Sequence, residues 1–481
     1  MYLSIWIIYM IIIYRSEQRL SHQLYSNQTT AGKMEVKIIE TALVHPSTPP
    51  FHHDHLLSLS HLDNDRNLNV TFRYLRAYDS SNRRDAAADP FHVVTTALSA
   101  ALVHYYPFAG TLRRRDSDGR LELHCEVGRG VPVVRAEVDC SLQSVNYLDD
   151  PAELWIEKLV PDPDASEGLA DPFVLQITMF RCGGFSLGAA VHHSLGDGLG
   201  VTQFFNAMAA FARGSTQLSV EPVWDRANLL RPRDPPRVEF PIHEYLTLES
   251  GTAGYRSSEP VCRECFRVKE EWLDRLKLFL HECSGHNFTT FEALGTFIWR
   301  AKVKASGIAG DEKVKFVYAM NMRKVVKPPL PAGYWGNGCA PMYVQLSAKD
   351  LVERPLWETA LLIKKSKHNA TDEYVRSFID FQELNYEKGI TAGGGVTGFT
   401  DWRHLGHSTV DFGWGGPVTV LPLSRNILGS TEPCFFLPFS SAKGGNKDGF
   451  QVLVHAKEAA MAGLKAEMEE LSQTGYPYPP S

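Results

Sequence analysis

No long run of lysine or arginine occurs in this 481-residue chain, whose formal net charge is −6 at pH 7. A nucleic-acid binder needs a basic patch or stripe to neutralise phosphates, so polyanion binding is set aside. The eight cysteines are scattered. The one close pair, Cys262 and Cys265, has neither a second pair nor a nearby histidine to complete a four-ligand zinc site. No metal is expected, and the thiols read as reduced side chains of a cytoplasmic protein. Low-complexity blocks are absent, as is any repeat with a period of about 20 to 50 residues, which excludes solenoids and arrays. The nearly unbroken apolar run Tyr2 to Tyr14 has 13 residues, whereas a bilayer span needs roughly 20. It also lacks the basic start and small-residue cleavage site of a signal peptide. Residues 1–33 are therefore expected to be a non-native extension, with Met34 as the start and no membrane partner.

What remains is the balance of a globular enzyme: 44% hydrophobic residues against 22% charged, with 28 prolines. The length exceeds what one hydrophobic core sustains, so two domains are expected, at 34–216 and 261–481. The Pro- and Arg-rich stretch between them, 217–260, reads as a crossover linker. Asp89-Pro90 opens an expected helix with Phe91, Val94, Leu98 and Leu102 on its apolar face, running towards Pro107. Val174 to Phe180 and Phe185 to Val191 read as two strands joined by the turn Arg181–Gly184. A helix with apolar positions Val201, Phe204, Phe205 and Met208 begins near Asp197. Thr289 and Glu292 form a capping-box signature ahead of a further helix, and Val314 to Met320 reads as a strand.

Two strings could carry chemistry. His193-Ser194-Leu195-Gly196-Asp197-Gly198 is an HxxxDG string between a strand and a helix; its bland alternative is a solvated or core histidine at a turn. Asp411-Phe412-Gly413-Trp414-Gly415 mixes glycines that permit unusual backbone angles with two aromatics that can plug a core, which is also how an ordinary packed turn looks. Gly184 to Gly188 matches GxSxG, but a nucleophile elbow needs its serine on a strand-to-helix turn, and Ser186 falls inside an expected strand. The Gly393–Gly395 run lacks the strand-turn-helix frame of a phosphate loop.

In this order the two strings resemble the BAHD acyltransferase family, which pairs HxxxDG near mid-chain with DFGWG near the C-terminus. His104 to Gly110 (HYYPFAG) is similar to the family's YYPLAG segment, and Phe291 to Arg300 to its second-domain helix. Pro328 to Asn337 (PPLPAGYWGN) resembles a stretch of its alcohol-acylating members of the benzyl alcohol O-benzoyltransferase type. The likeness spans nearly the whole chain from Met34. It implies an α/β fold of two chloramphenicol-acetyltransferase-like domains with a solvent channel between them, working as a monomer. It also implies acyl-CoA as co-substrate, a small-molecule alcohol or amine as acceptor, and no permanently bound cofactor. Residue by residue, His193 matches the catalytic histidine, and Asp411 is grouped with it as a catalytic candidate although its motif is usually considered structural. Asp197 and Gly198 match the structural part of the first motif, with Arg323 as the expected salt-bridge partner of Asp197. Phe412, Gly413, Trp414 and Gly415 complete the second. Thr400 and Trp402 match channel residues near the acyl carbonyl, and Ser440, Ser441 and Lys443 are candidates for coenzyme A contacts.

The chemistry stands independently. Attack of a hydroxyl on a thioester requires removal of its proton as the bond forms, and a neutral imidazole with a reference pKa of about 6.5 suits that task. The thioester is already activated, so one base suffices, with a hydroxyl such as that of Thr400 as an oxyanion donor. The Pro328–Asn337 resemblance suggests an aromatic or medium-chain acyl group and a hydroxyl acceptor. Gly338 stands where the malonyl-transferring subgroup carries cysteine, which disfavours a malonyl donor. An amine acceptor and a catalytically silent binding protein of the same fold remain open.

Overall fold

The computed structural model describes residues 34–82, 85, 87–149, 154–163, 168–248, 259–438 and 448–474. Two six-stranded mixed sheets organise the chain from Val36 onward. In the first, the spatial order is Val36–Val44, Val131–Val138, Phe173–Phe180, Phe185–His192, Thr71–Tyr78 and Thr419–Pro422. In the second it is Val261–Val268, Phe450–Lys457, Cys434–Leu437, Val396–Asp401, Lys313–Asn321 and Cys339–Ser347. The edge strand Thr419–Pro422 of the first sheet comes from the later half of the chain, pairing Thr419 with Ala77 and Pro422 with Tyr74. The second half therefore contributes a strand to the sheet built by the first.

The central hairpin of the first sheet is Phe173–Phe180 with Phe185–His192, whose residues are buried almost throughout. Continuous apolar sequence of this kind suits strands covered on both faces. Gly183 at φ 81° supplies the left-handed residue their turn requires. Inside the hairpin, a Cβ on Gly188 would stand 2.2 Å from the Leu159 carbonyl oxygen, so only glycine fits. The second sheet is covered by helix Thr290–Ser306. Its N-terminus is closed by reciprocal bonds between Thr289 and Glu292, and its Phe291 and Trp299 meet Phe316.

One expected helix is shorter than its pattern suggested. Pro90–Ala101 is capped by Asp89 but stops well before Pro107, and Tyr106–Ala109 is a separate 3-10 turn. Pro107 has no N–H to bond back to Val103 and cannot sit inside a continuing α-helix; it stands instead in the first turn of that separate 3-10 segment. Between the sheets' segments, the described part of 217–260 contains the short helix Arg226–Leu229. All eight cysteines are free thiols. Among the described residues, no His, Cys, Asp and Glu group could hold a metal ion, and no helix is long and apolar enough to cross a membrane.

Candidate active site

His193 sits where the strand Phe185–His192 ends and a single 3-10 turn, His193–Leu195, leads to the helix Gly198–Ala212. Its backbone N–H donates to Val70 O at 2.9 Å, which ties the turn to the neighbouring loop. The side chain is partly accessible and lines a cavity of about 390 Å³. That cavity lies between the sheets: Phe72, Tyr74 and Val191 come from the first, and Tyr318, Met320, Phe399 and Thr400 from the second. Burial lowers the imidazole pKa below its ordinary value, and the nearby Asp197 charge only partly opposes this. The ring is therefore neutral at neutral pH. His192 is fully buried and shifted further, to about 3, by burial and then by His193 and Arg114; its Nδ1 accepts the Ser194 N–H at 3.3 Å.

Asp197 caps the helix, accepting the Gly200 N–H on Oδ1 at 2.9 Å. Arg323 reaches it with both terminal nitrogens, Nη1 to Oδ2 and Nη2 to Oδ1, each at 2.8 Å, and the Gly338 N–H adds a bond to Oδ2 at 2.9 Å. Burial alone would raise this carboxyl, but the Arg323 guanidinium and these backbone donors hold it down at about 2. The fork leaves no room for a side chain at 338, where a Cβ would stand 2.7 Å from the guanidinium. Gly200 is required for a similar reason, since its Cβ would meet the Trp335 carbonyl oxygen at 1.9 Å.

A second layer holds the turn from behind, through residues that sequence reasoning did not single out. Asp63 and Arg226 form an ion pair with both side chains fully buried, Nη1 to Oδ1 at 3.2 Å. Arg226 donates onward to the carbonyls of Ser194 at 3.2 Å and Leu195 at 2.6 Å, while stacking on Trp224 and Trp335. Asn337 donates its backbone N–H and Nδ2 to Asp63, each at 2.9 Å, and its Nδ2 also reaches the His193 carbonyl at 2.8 Å. Three consecutive carbonyls, at 193, 194 and 195, are thus held by side chains from two distant segments. Asn337 lay inside the quoted PPLPAGYWGN stretch; Asp63 and Arg226 had no sequence signal.

Thr400 and Trp402 line the same cavity as His193, Thr400 from strand Val396–Asp401 and Trp402 just beyond it. Asp411 does not. Its Oδ1 accepts the Gly413 N–H at 2.7 Å and its backbone carbonyl is bonded by Arg213, so grouping it with His193 as a catalytic candidate requires correction: it shapes a turn. Gly413 and Gly415 adopt left-handed φ of 107° and 77°, Phe412 meets Tyr78, and Trp414 meets Phe185 edge-on at 5.2 Å. Ser186 is wholly buried within its strand, paired with Ala77, which is not the setting of a nucleophile elbow. Ser440, Ser441 and Lys443 lie outside the described residues.

Comparison with known proteins decides the family. A family model described as "Transferase family" matches residues 34–471. The chain is 37% identical over 421 residues to the fatty alcohol:caffeoyl-CoA acyltransferase of Arabidopsis thaliana, covering 85% of this chain and 93% of that one. The chain is a BAHD acyltransferase. Another BAHD relative, the spermidine sinapoyl-CoA acyltransferase of Arabidopsis thaliana, is 33% identical over 431 residues, covering 86% of this chain and 93% of the relative. The crystal structure of vinorine synthase shares the fold with a TM-score of 0.70 at 22% identity, over 91% of this chain and 98% of that one. In this BAHD acyltransferase, then, an acyl-CoA-dependent enzyme, the HxxxDG turn stands at the wall of the inter-sheet cavity, and the DFGWG turn packs against Tyr78 and Phe185 of the first sheet, outside that lining.

Proposed function

We propose that this enzyme transfers an aromatic or medium-chain acyl group from coenzyme A to an alcohol, with His193 as the general base. The observation that carries the reading is a neutral, partly accessible imidazole in the wall of a mostly apolar cavity between the two sheets. The imidazole takes the hydroxyl proton as oxygen attacks the thioester carbon; collapse of the tetrahedral intermediate expels the coenzyme A thiolate, which takes a proton back. Thr400 is proposed as the hydrogen-bond donor to the developing oxyanion. Arg323–Asp197 and the Asp63–Arg226–Asn337 layer position the base.

An alcohol is favoured over a polyamine by the cavity's charges. Its two lining carboxylates are both engaged, Asp197 by Arg323 and Asp401 by Arg403 at 2.6 and 2.9 Å. Among the described residues of the lining, none offers an unpaired anion for an ammonium group. The relatives named above differ on this point, one acting on a fatty alcohol and the other on spermidine. The test is a screen of acyl-CoA donors against alcohol and polyamine acceptors, read by release of free thiol, with His193→Ala alongside. Ester formation with alkanols, lost in the variant, is the expected result. Faster turnover of spermidine would overturn the choice of acceptor, and full activity of the variant would overturn the mechanism.

A further inference from the structure

Arg76 is fully buried on strand Thr71–Tyr78, yet no carboxylate lies within ion-pair distance of it among the described residues. Its Nη1 donates to the Tyr74 hydroxyl at 3.3 Å and its Nη2 bonds His407 Nδ1 at 3.2 Å. The guanidinium also lies over the rings of Tyr74 at 4.9 Å and Phe205 at 4.3 Å. A buried cation without a counter-ion is costly, and stacking on aromatic faces offsets that only in part.

The hydrogen-bond directions follow from the donor inventory. Guanidinium nitrogens only donate, so His407 Nδ1 must accept, which places the hydrogen of the neutral ring on Nε2. Burial and then the Arg76 charge push the His407 pKa well below the ordinary value, in keeping with a neutral ring. The Nε2–H has no partner, and neither has the Thr202 hydroxyl. Tyr74, accepting from Arg76, keeps its own hydrogen free to donate. Tyr74, Thr202 and His407 all line the cavity that holds His193. One stretch of cavity wall therefore gathers three donors, two of them unsatisfied, around an uncompensated positive charge, while the surrounding lining of Phe72, Trp402 and Leu405 is apolar.

We propose that this wall is a specificity subsite that receives an electron-rich oxygen carried on the otherwise apolar body of the substrate, with Tyr74 and His407 as its donors and Arg76 as the charge that polarises them. The oxygen belongs either to the acyl group, as a phenolic hydroxyl, or to the acceptor, as a second hydroxyl. The inference rests on the acyl-transfer reading above. It makes the enzyme selective for oxygenated over plain substrates, because a plain chain leaves the donors buried and unpaired.

The experiment measures kcat/KM for two matched pairs. The first is cinnamoyl-CoA against para-hydroxycinnamoyl-CoA with one alkanol; the second is that alkanol against its terminal diol with cinnamoyl-CoA. The wild type is expected to prefer the oxygenated member of one pair by roughly 10- to 100-fold, and the pair showing the preference identifies the source of the oxygen. Tyr74→Phe and His407→Leu should each shrink that ratio about 5- to 10-fold; effects common to both members cancel, and melting temperatures confirm that the variants fold. Equal use of both members in both pairs, or a ratio untouched in both variants, overturns the subsite. If plain cinnamoyl-CoA is still turned over in a His193-dependent manner, the general-base reading survives that failure. If no pair is turned over, calorimetric Kd values for the wild type and Tyr74→Phe decide instead, for the two acyl-CoAs and for the alkanol and its diol: equal values within both pairs overturn the subsite, and tighter binding of the oxygenated member of one pair, weakened in the variant, supports it.

Discussion

The turns His193–Gly198 and Asp411–Gly415 have much in common as sequence. Each is a short glycine-bearing string with one aspartate whose carboxylate bonds a backbone N–H close by, at Gly200 in the first and Gly413 in the second. Their surroundings differ. The first stands at a cavity wall with its carbonyls gripped by Arg226 and Asn337, so that one side chain, His193, is left partly accessible. The second inserts Phe412 and Trp414 among Tyr78 and Phe185, where they are buried. A turn that presents a reactive group and a turn that fills a core can thus be equally specific in sequence, and only their neighbours tell them apart.

The sharpest contrast between them is in the currency of loss. His193→Ala should lower kcat by about 10²- to 10⁴-fold with little change in melting temperature, because the side chain is partly accessible and its proposed role is proton transfer. Trp414→Ala should do the reverse, costing about 3–5 kcal/mol of stability through lost packing. Specific activity per folded molecule, read below the melting transition, should hold. A Trp414 variant that stayed as stable as the wild type but lost turnover would erase the distinction. Across the cavity, Thr400→Val should lower kcat by about 10²- to 10³-fold with KM much less affected, and Thr400→Ser should restore most of it. Equal effects on kcat and KM would mark Thr400 as a general wall residue.

How much of this was legible in advance depends on how far apart the interacting residues lie. The strand, turn and helix around His193, the Asp197 cap and the Thr289–Glu292 box are local, written in patterns that span only a few residues. The edge strand Thr419–Pro422 joins partners more than three hundred residues away, and nothing in TVLP announces which sheet it completes. The same holds for the layer that grips the His193–Leu195 turn. Arg226 finds Asp63 across 163 positions and Asn337 finds it across 274, and each is an unremarkable residue in its own segment. Asp411 misled for the complementary reason, since a rare motif signals a constrained backbone as readily as a reactive group. Arg76 and His407, 331 positions apart, belong to no string at all and became visible only through burial and missing partners.

The subtlest difference between the turns is electrostatic, and pH exposes it. His193 is neutral because burial outweighs the attraction of Asp197, so its folded-state pKa lies below the ordinary histidine value. The base is active when deprotonated. Activity should therefore rise with pH through that lowered pKa, and the acid limb of kcat/KM should fall below pH 6.5, the reference value for the unfolded chain. Stability linked to the same group has the same sign: it is present above about pH 6.5 and is lost as pH falls towards the folded pKa, because the unfolded state then binds the extra proton. Asp197, held at about 2, keeps its own contribution down to the ordinary carboxylate range and loses it only below that. The His193 window opens at a higher pH than the Asp197 window, so on acidification the contribution linked to the imidazole begins to fall first. Asp197→Asn removes the charge that raises the imidazole pKa and should move the activity limb to still lower pH. A limb at or above pH 6.5 in the wild type, or one that climbs in Asp197→Asn, would mean that the imidazole at 193 is not the group whose deprotonation starts the reaction.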